Sequence, residues 1–93
     1  MPKQIKFHGA TSRGRITVQD SLAAAVEEVA FLERKDPAQC ETYQSDTAPD
    51  VWYVYETQSA LDVDMSRGSI TSNSPGWFAI VTAEEQTAAP ERK

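Results

Sequence analysis

Ninety-three residues make one small domain, and a chain this short buries only about 60–65 % of its unfolded surface, so its core is thin. Hydrophobic residues at 40 %, charged residues at 25 % and an aromatic set of two Trp, three Tyr and three Phe exclude wholesale disorder. A net charge of −5 argues against a broadly basic nucleic-acid binder, and no apolar run approaches the roughly 18 residues of a helical membrane span.

Ile5 and Phe7 alternate with Lys6 and His8, the period of a short half-buried strand. Gly9 to Gly14 reads as a turn, and Ile16 and Val18 alternate again as a second short strand. Ser21 to Lys35 is the clearest element. Asp20 suits the N-cap, and Leu22, Ala25, Val26, Val29 and Leu32 fall on one helical stripe. Glu27 and Glu28 fall outside the stripe, Arg34 and Lys35 suit the C-terminal end of the dipole, and Pro37 stops the helix. Phe31 lies about 180° from the stripe at 100° per residue, so it is either covered by another element or exposed as an anchor for a partner.

Residues 36–50 are polar and acidic and read as a loop, with a short strand around Thr42 to Gln44. Val51 to Tyr55 is apolar on both faces, as a central strand requires. Ala60 to Met65 is expected to be a strand with Leu61, Val63 and Met65 on one face and Asp62 and Asp64 facing solvent. Asn73-Ser74-Pro75-Gly76 suits a type II turn, and Trp77 to Thr82 reads as the last strand. The expected domain spans residues 1–82, with 83–93 a disordered polar tail. The fold class is therefore α+β: one amphipathic helix on a small, mainly antiparallel sheet of about four strands.

Charge is unevenly spread. Lys3, Lys6, Arg13 and Arg15 stand in residues 1–19 with no acid, whereas Asp36, Glu41, Asp46, Asp50, Glu56, Asp62 and Asp64 lie between Lys35 and Arg67 with no Lys or Arg. An acidic segment of this kind repels phosphates and attracts basic surfaces, as well as keeping a small protein soluble. Glu27, Glu28, Glu41, Asp46, Asp50, Asp62 and Asp64, with Phe31 as an anchor, are the candidate partner-binding residues.

Signals for chemistry are sparse. Asp62-Val63-Asp64 resembles the opening of a calcium loop, but the sixth and twelfth positions hold Arg67 and Asn73 in place of Gly and Glu. Cys40 and His8 are the sole cysteine and histidine, so one chain cannot supply a structural zinc site, and a Cys–His nucleophile pair requires the fold to bring these two together. Thr11, Ser12, Arg13 and Arg15 form a turn able to hold an anion, without the spacing of a phosphate-binding loop. Trp52, Tyr53, Tyr55 and Trp77 read as sheet core, since base stacking needs a positive groove first. No metal or cofactor is expected. A lone cysteine fits a reducing compartment, and Met1 to Ile5 carry no apolar leader run, so the expected location is cytoplasmic.

Lys6-Phe7-His8-Gly9-Ala10-Thr11 resembles the opening strand of the His-Gly-Thr branch of ADP-ribosyltransferases. Ile16-Thr17-Val18 before Asp20 to Ala30 is similar to the strand and Ala-rich helix that follow there. Trp52 to Glu56 and Leu61 to Asp64 resemble the next strand and its acidic sequel. The resemblance implies that His8 and Gly9 hold a nicotinamide dinucleotide. The interval between the first motif and the helix is shorter than in that family, and Ser66 to Gly76 offers no later catalytic acid. The leading expectation is a non-enzymatic inhibitor or accessory protein, of phage or mobile-element type. It would bind a basic surface on a partner such as a nucleic-acid-binding machine, without touching nucleic acid or membrane itself. A minimal ADP-ribosyltransferase-like domain is the alternative.

Overall fold

The computed structural model describes residues 3–87, with elements β1 (Lys3–Thr11), β2 (Ile16–Gln19), α1 (Leu22–Leu32), β3 (Glu41–Gln44), β4 (Val51–Tyr55), α2 (Gln58–Ser66) and β5 (Ala79–Thr87). The fold is α+β, with a sheet of five strands in the order β2-β1-β5-β4-β3 where about four were expected. Every neighbouring pair is antiparallel.

The β1–β2 hairpin closes on itself through Thr11. Its backbone N–H donates to Arg15 O at 2.7 Å, and its buried hydroxyl accepts from the amides of Arg13 at 3.3 Å and Arg15 at 3.0 Å. Gly14 takes φ +87° in this turn, a conformation that favours glycine. β5 pairs with the whole of β1, from Lys3↔Thr87 to Thr11↔Ala79. The last strand thus starts at Ala79 rather than Trp77 and runs past the expected boundary at residue 82. Residues 83–87 are strand and not tail, because β1 offers them a pairing edge and sets Lys6 opposite Glu84. The rest of the expected tail, 88–93, lies outside the described residues.

α1 is capped by Ser21, whose hydroxyl accepts from Ala24 N at 3.1 Å. Asp20, the expected cap, instead takes the Lys6 ammonium. The helix ends at Leu32, short of Lys35, because the chain reverses through Arg34 at φ +59°. Arg34 N donates to Phe31 O at 3.1 Å and Lys35 N to Ala30 O at 2.7 Å, the paired closing bonds of a Schellman motif. Ala25, Val29 and Ala30 are buried against the sheet. The close approach depends on Gly9, where a Cβ would stand 2.8 Å from Val29 Cγ1 and 3.1 Å from Thr17 Cγ2.

The expected strand at Ala60–Met65 is helix α2. Thr57 caps it by accepting from Ala60 N at 3.2 Å, and Gln58 donates to Asp62 one turn on at 2.9 Å. Its buried positions are Leu61 and Asp64, three apart, while Val63 and Met65 are exposed. Asp64 is only 2 % exposed, so it is not a surface charge and leaves the candidate partner-binding set. The turn expected at Asn73–Gly76 lies earlier, where Ser74 N donates to Thr71 O at 2.9 Å. Gly76 has no positive φ; its value is the missing Cβ, which would sit 2.8 Å from Asp64 Oδ2.

Side chains alternate across the strands, so the sheet has two packed faces. Ala25, Val29, Ala30, Val54, Phe78, Ala79 and Val81 form the core under α1, joined by Phe7, Leu22, Val26 and Cys40. Tyr53, Tyr55, Leu61 and Ile70 form the core under α2, joined by Tyr43, Val51, Ala60, Trp77 and Ile80.

Candidate functional site

Each helix covers only half of its face. α1 packs on β1, β2 and β5, and α2 packs on the opposite face against β3 and β4. Two diagonal quarters of the sheet therefore lack a helix among the described residues. One lies beside α1 over β3; the other lies on the α2 side over β2, β1 and β5.

The quarter beside α1 is an apolar groove of ≈ 710 Å³. Leu22, Val26, Pro37, Ala38 and Thr42 line it, and Glu27 is the sole charged residue on its wall among the described residues. The Glu27 carboxylate makes no ion pair among the described residues, and neither does Glu41 on the adjoining edge strand. β3 is the last strand of the sheet, so one side of its backbone has no strand partner among the described residues.

The other quarter is a shallow cleft of ≈ 460 Å³ lined by His8, Gly9, Ala10, Ile16, Thr17, Val18, Ile80, Thr82 and Glu84. Ile16 is 75 % and Val18 51 % exposed here. His8 Nε2 lies 3.2 Å from Glu84 Oε1, close enough for an ion pair when the imidazole is protonated but not aligned for a hydrogen bond.

The acidic candidates are spread over the surface. Glu27, Glu41, Asp46, Asp50 and Asp62 are exposed and Glu28 is half-buried. Asp46 accepts from the Tyr43 hydroxyl at 2.8 Å, and that bond, first, raises the phenol pKa. Glu56 pairs with Lys35 at 3.1 Å. Phe31 stands 64 % exposed on the outer side of α1, uncovered by any second layer among the described residues.

The chemical pairings considered in the sequence do not assemble. His8 faces the α2 side of the sheet, while Cys40 packs into the core on the α1 side. Burial, then the carboxylates of Asp36, Glu56 and Glu41, raise the Cys40 thiol pKa against the opposing effect of Lys35, so the thiol stays protonated and a poor nucleophile at neutral pH. Arg15 spends its guanidinium on the Leu32 carbonyl at the end of α1, and Arg13 Nε lies 3.6 Å from Glu33 Oε1. The aromatic residues divide between the faces as packing groups. Trp52 meets Phe7 with ring centroids 5.9 Å apart, and Tyr53 meets Trp77 at 6.3 Å. Asp62 and Asp64 sit on a helix with Asp64 buried, and no group of three or more potential metal-ligating side chains gathers among the described residues.

The groove residues Leu22, Val26, Pro37 and Ala38 are not marked by the sequence as a site. Leu22 and Val26 belong to the buried stripe by period, and only the position of the helix leaves them open on one side. Comparison with protein-family models, with curated proteins and with solved structures returns no match for this chain. No helix among the described residues is long and apolar enough to cross a membrane.

Proposed function

We propose that this chain is a non-enzymatic interaction protein, an inhibitor or accessory factor that engages a basic surface on a protein partner. The observation that carries this reading is the unpaired, exposed Glu27 carboxylate on the wall of an open apolar groove, with the unpaired, exposed Glu41 on the other face of the adjoining edge strand. Apolar area supplies affinity at such a surface, while charge sets partner choice and the speed of encounter. A protein that binds nucleic acid fits the description, because the surface that holds phosphates is basic. Phe31 adds an exposed aromatic on the same helix, the residue class that anchors interfaces.

The test is capture on the tagged chain, washed at low and high salt, beside a Phe31→Ser variant and a double Glu27→Lys, Glu41→Lys variant. The reading expects a basic protein that is held at low salt, released at high salt and lost by the double variant. Capture that ignores both salt and charge reversal contradicts it.

The alternative, a dinucleotide-binding domain, has one observation on its side: His8 and Gly9 both line the β2–β1–β5 cleft. It requires binding of a nicotinamide dinucleotide that His8→Ala abolishes, and it fails if the native chain shows no binding at millimolar ligand.

A further inference from the structure

The open groove beside α1 and the free edge of β3 occupy one place in the molecule. Thr42 lines the groove from β3, while Leu22, Val26 and Glu27 line it from α1. A strand at the end of a sheet presents unpaired N–H and C=O groups, a ready template for an added strand. At four residues, β3 matches a short extended segment. Along that edge the side chains of an added strand would alternate between the two faces of the sheet. Those on the α1 side meet the apolar wall of Leu22, Val26, Pro37 and Ala38.

Charge selects the occupant. Among the described residues the groove wall carries one charged group, the unpaired Glu27 carboxylate, and no Lys or Arg. Asp36 precedes Pro37, and Glu41 stands on β3 itself, both exposed. Lys35, the nearest base in sequence, is engaged with Glu56. Glu41 is registered with Tyr55 and so faces the α2 side, where the alternate side chains of an added strand project; acidic ones would meet repulsion there, and neutral ones would leave Glu41 without a counter-ion.

We propose that the groove between α1 and β3 is a peptide-docking site that receives an extended segment of a partner protein, alternating aliphatic and Lys or Arg side chains, as a sixth strand on β3. This rests on the reading of the chain as a binder of basic surfaces and names the form in which the basic partner is held. The β2–β1–β5 cleft plays no part in it.

A fluorescein-labelled peptide of alternating Lys and Val is the probe, titrated into the full chain by anisotropy and mapped by amide chemical shifts. The expected result is saturable binding with the largest shifts at Thr42, Tyr43 and Gln44 and at Val26 and Glu27. Ala23→Arg and Ala38→Arg each place a bulky cation at an exposed position on the groove wall, so the fold is kept and affinity drops about tenfold or more. The same peptide with Glu for Lys does not bind, and backbone N-methylation on the side facing β3 abolishes binding. No binding at millimolar peptide, parent-like affinity in both arginine variants, or shifts centred on Ile16 and Val18 overturns the proposal. Concentration-dependent self-association that produces the same β3 shifts without peptide overturns it in favour of a second copy of the chain. Salt-sensitive capture of a basic partner that survives Ala23→Arg and Ala38→Arg keeps the broader reading and removes the groove. Peptide docking without such capture does the reverse.

Discussion

The Tyr55 hydroxyl donates to Asp64 Oδ2 at 2.6 Å, and both side chains are buried. Gly76 N–H donates to the same oxygen at 3.0 Å. One carboxylate oxygen thus ties β4, α2 and the loop before β5 together, while Oδ1 has no hydrogen-bond partner among the described residues. Tyr55→Phe removes a donor from a buried charge already short of partners, and the expected loss is about 1.5–3 kcal/mol. A lower urea midpoint at unchanged slope is the signature. A Tyr55→Phe chain as stable as the parent shows that the bond contributes nothing.

Alkaline pH acts on the same pair. Burial first, then donation to Asp64 and the charge of that group, with smaller effects of Tyr53 and Tyr43, hold the Tyr55 phenol well above its ordinary range. The folded state therefore keeps the proton more tightly than the unfolded state does. The resulting stability is complete below the unfolded value of about 10 and is lost as pH rises from there toward the folded value. Unfolding free energy is expected to fall above about pH 10, and to fall less steeply in Tyr55→Phe. Equal slopes for the two chains assign the alkaline loss to other groups.

Gly9 is a packing residue. Gly9→Ala places a methyl 2.8 Å from Val29 Cγ1, against a helix held to the sheet on both sides of that contact. Overpacking of this kind costs about 1–3 kcal/mol, and each kcal/mol lowers Tm by about 4–8 °C in a domain of this size. Combining it with Val29→Ala is expected to give less than the sum of the two single losses, because the second change opens the space that the first needs. Strict additivity in thermal melts contradicts the contact.

Arg34 occupies a left-handed position, φ +59°, at the end of α1, where helices usually place glycine. Arg34→Gly is expected to raise stability by about 0.5–1 kcal/mol, through relief of backbone strain partly offset by a looser unfolded chain. Urea denaturation reads the sign directly, and destabilisation would mean that the arginine side chain contributes more than its backbone costs.

Parts of this fold are legible in the sequence for local reasons. Val51–Tyr55 reads as strand because five consecutive apolar or aromatic residues suit a strand packed on both faces, and the α1 stripe reads from Ala25 and Val29 at helical spacing. Ala60–Met65 misleads because Leu61, Val63 and Met65 alternate at period two while Leu61 and Asp64 share a helical face; the decisive signal is Thr57 as a cap before Ala60. Asp64 looks like a surface acid because its partners, Tyr55 and Gly76, come from other elements. The strand at residues 83–87 is polar, and pairing with β1 supplies what its composition does not. The groove is hidden for a different reason: which half of a sheet face a helix covers is settled by tertiary packing, so Leu22 and Val26 look like core and Ala23 and Ala38 like plain surface. That Phe31 lies off the buried stripe follows from helical phase, but its exposure does not, because the phase leaves open whether another element covers it; the acidic composition follows from residue type.

The most direct test of the central claim is the association rate of the chain with its captured protein partner, measured from low to high salt for the parent and for the double Glu27→Lys, Glu41→Lys variant. An acidic binding surface predicts a parent rate that falls steeply as salt screens the charges, and a variant that is slow at low salt with little salt dependence left. Parent and variant rates that coincide at every salt concentration contradict the claim that this protein works through its acidic surface.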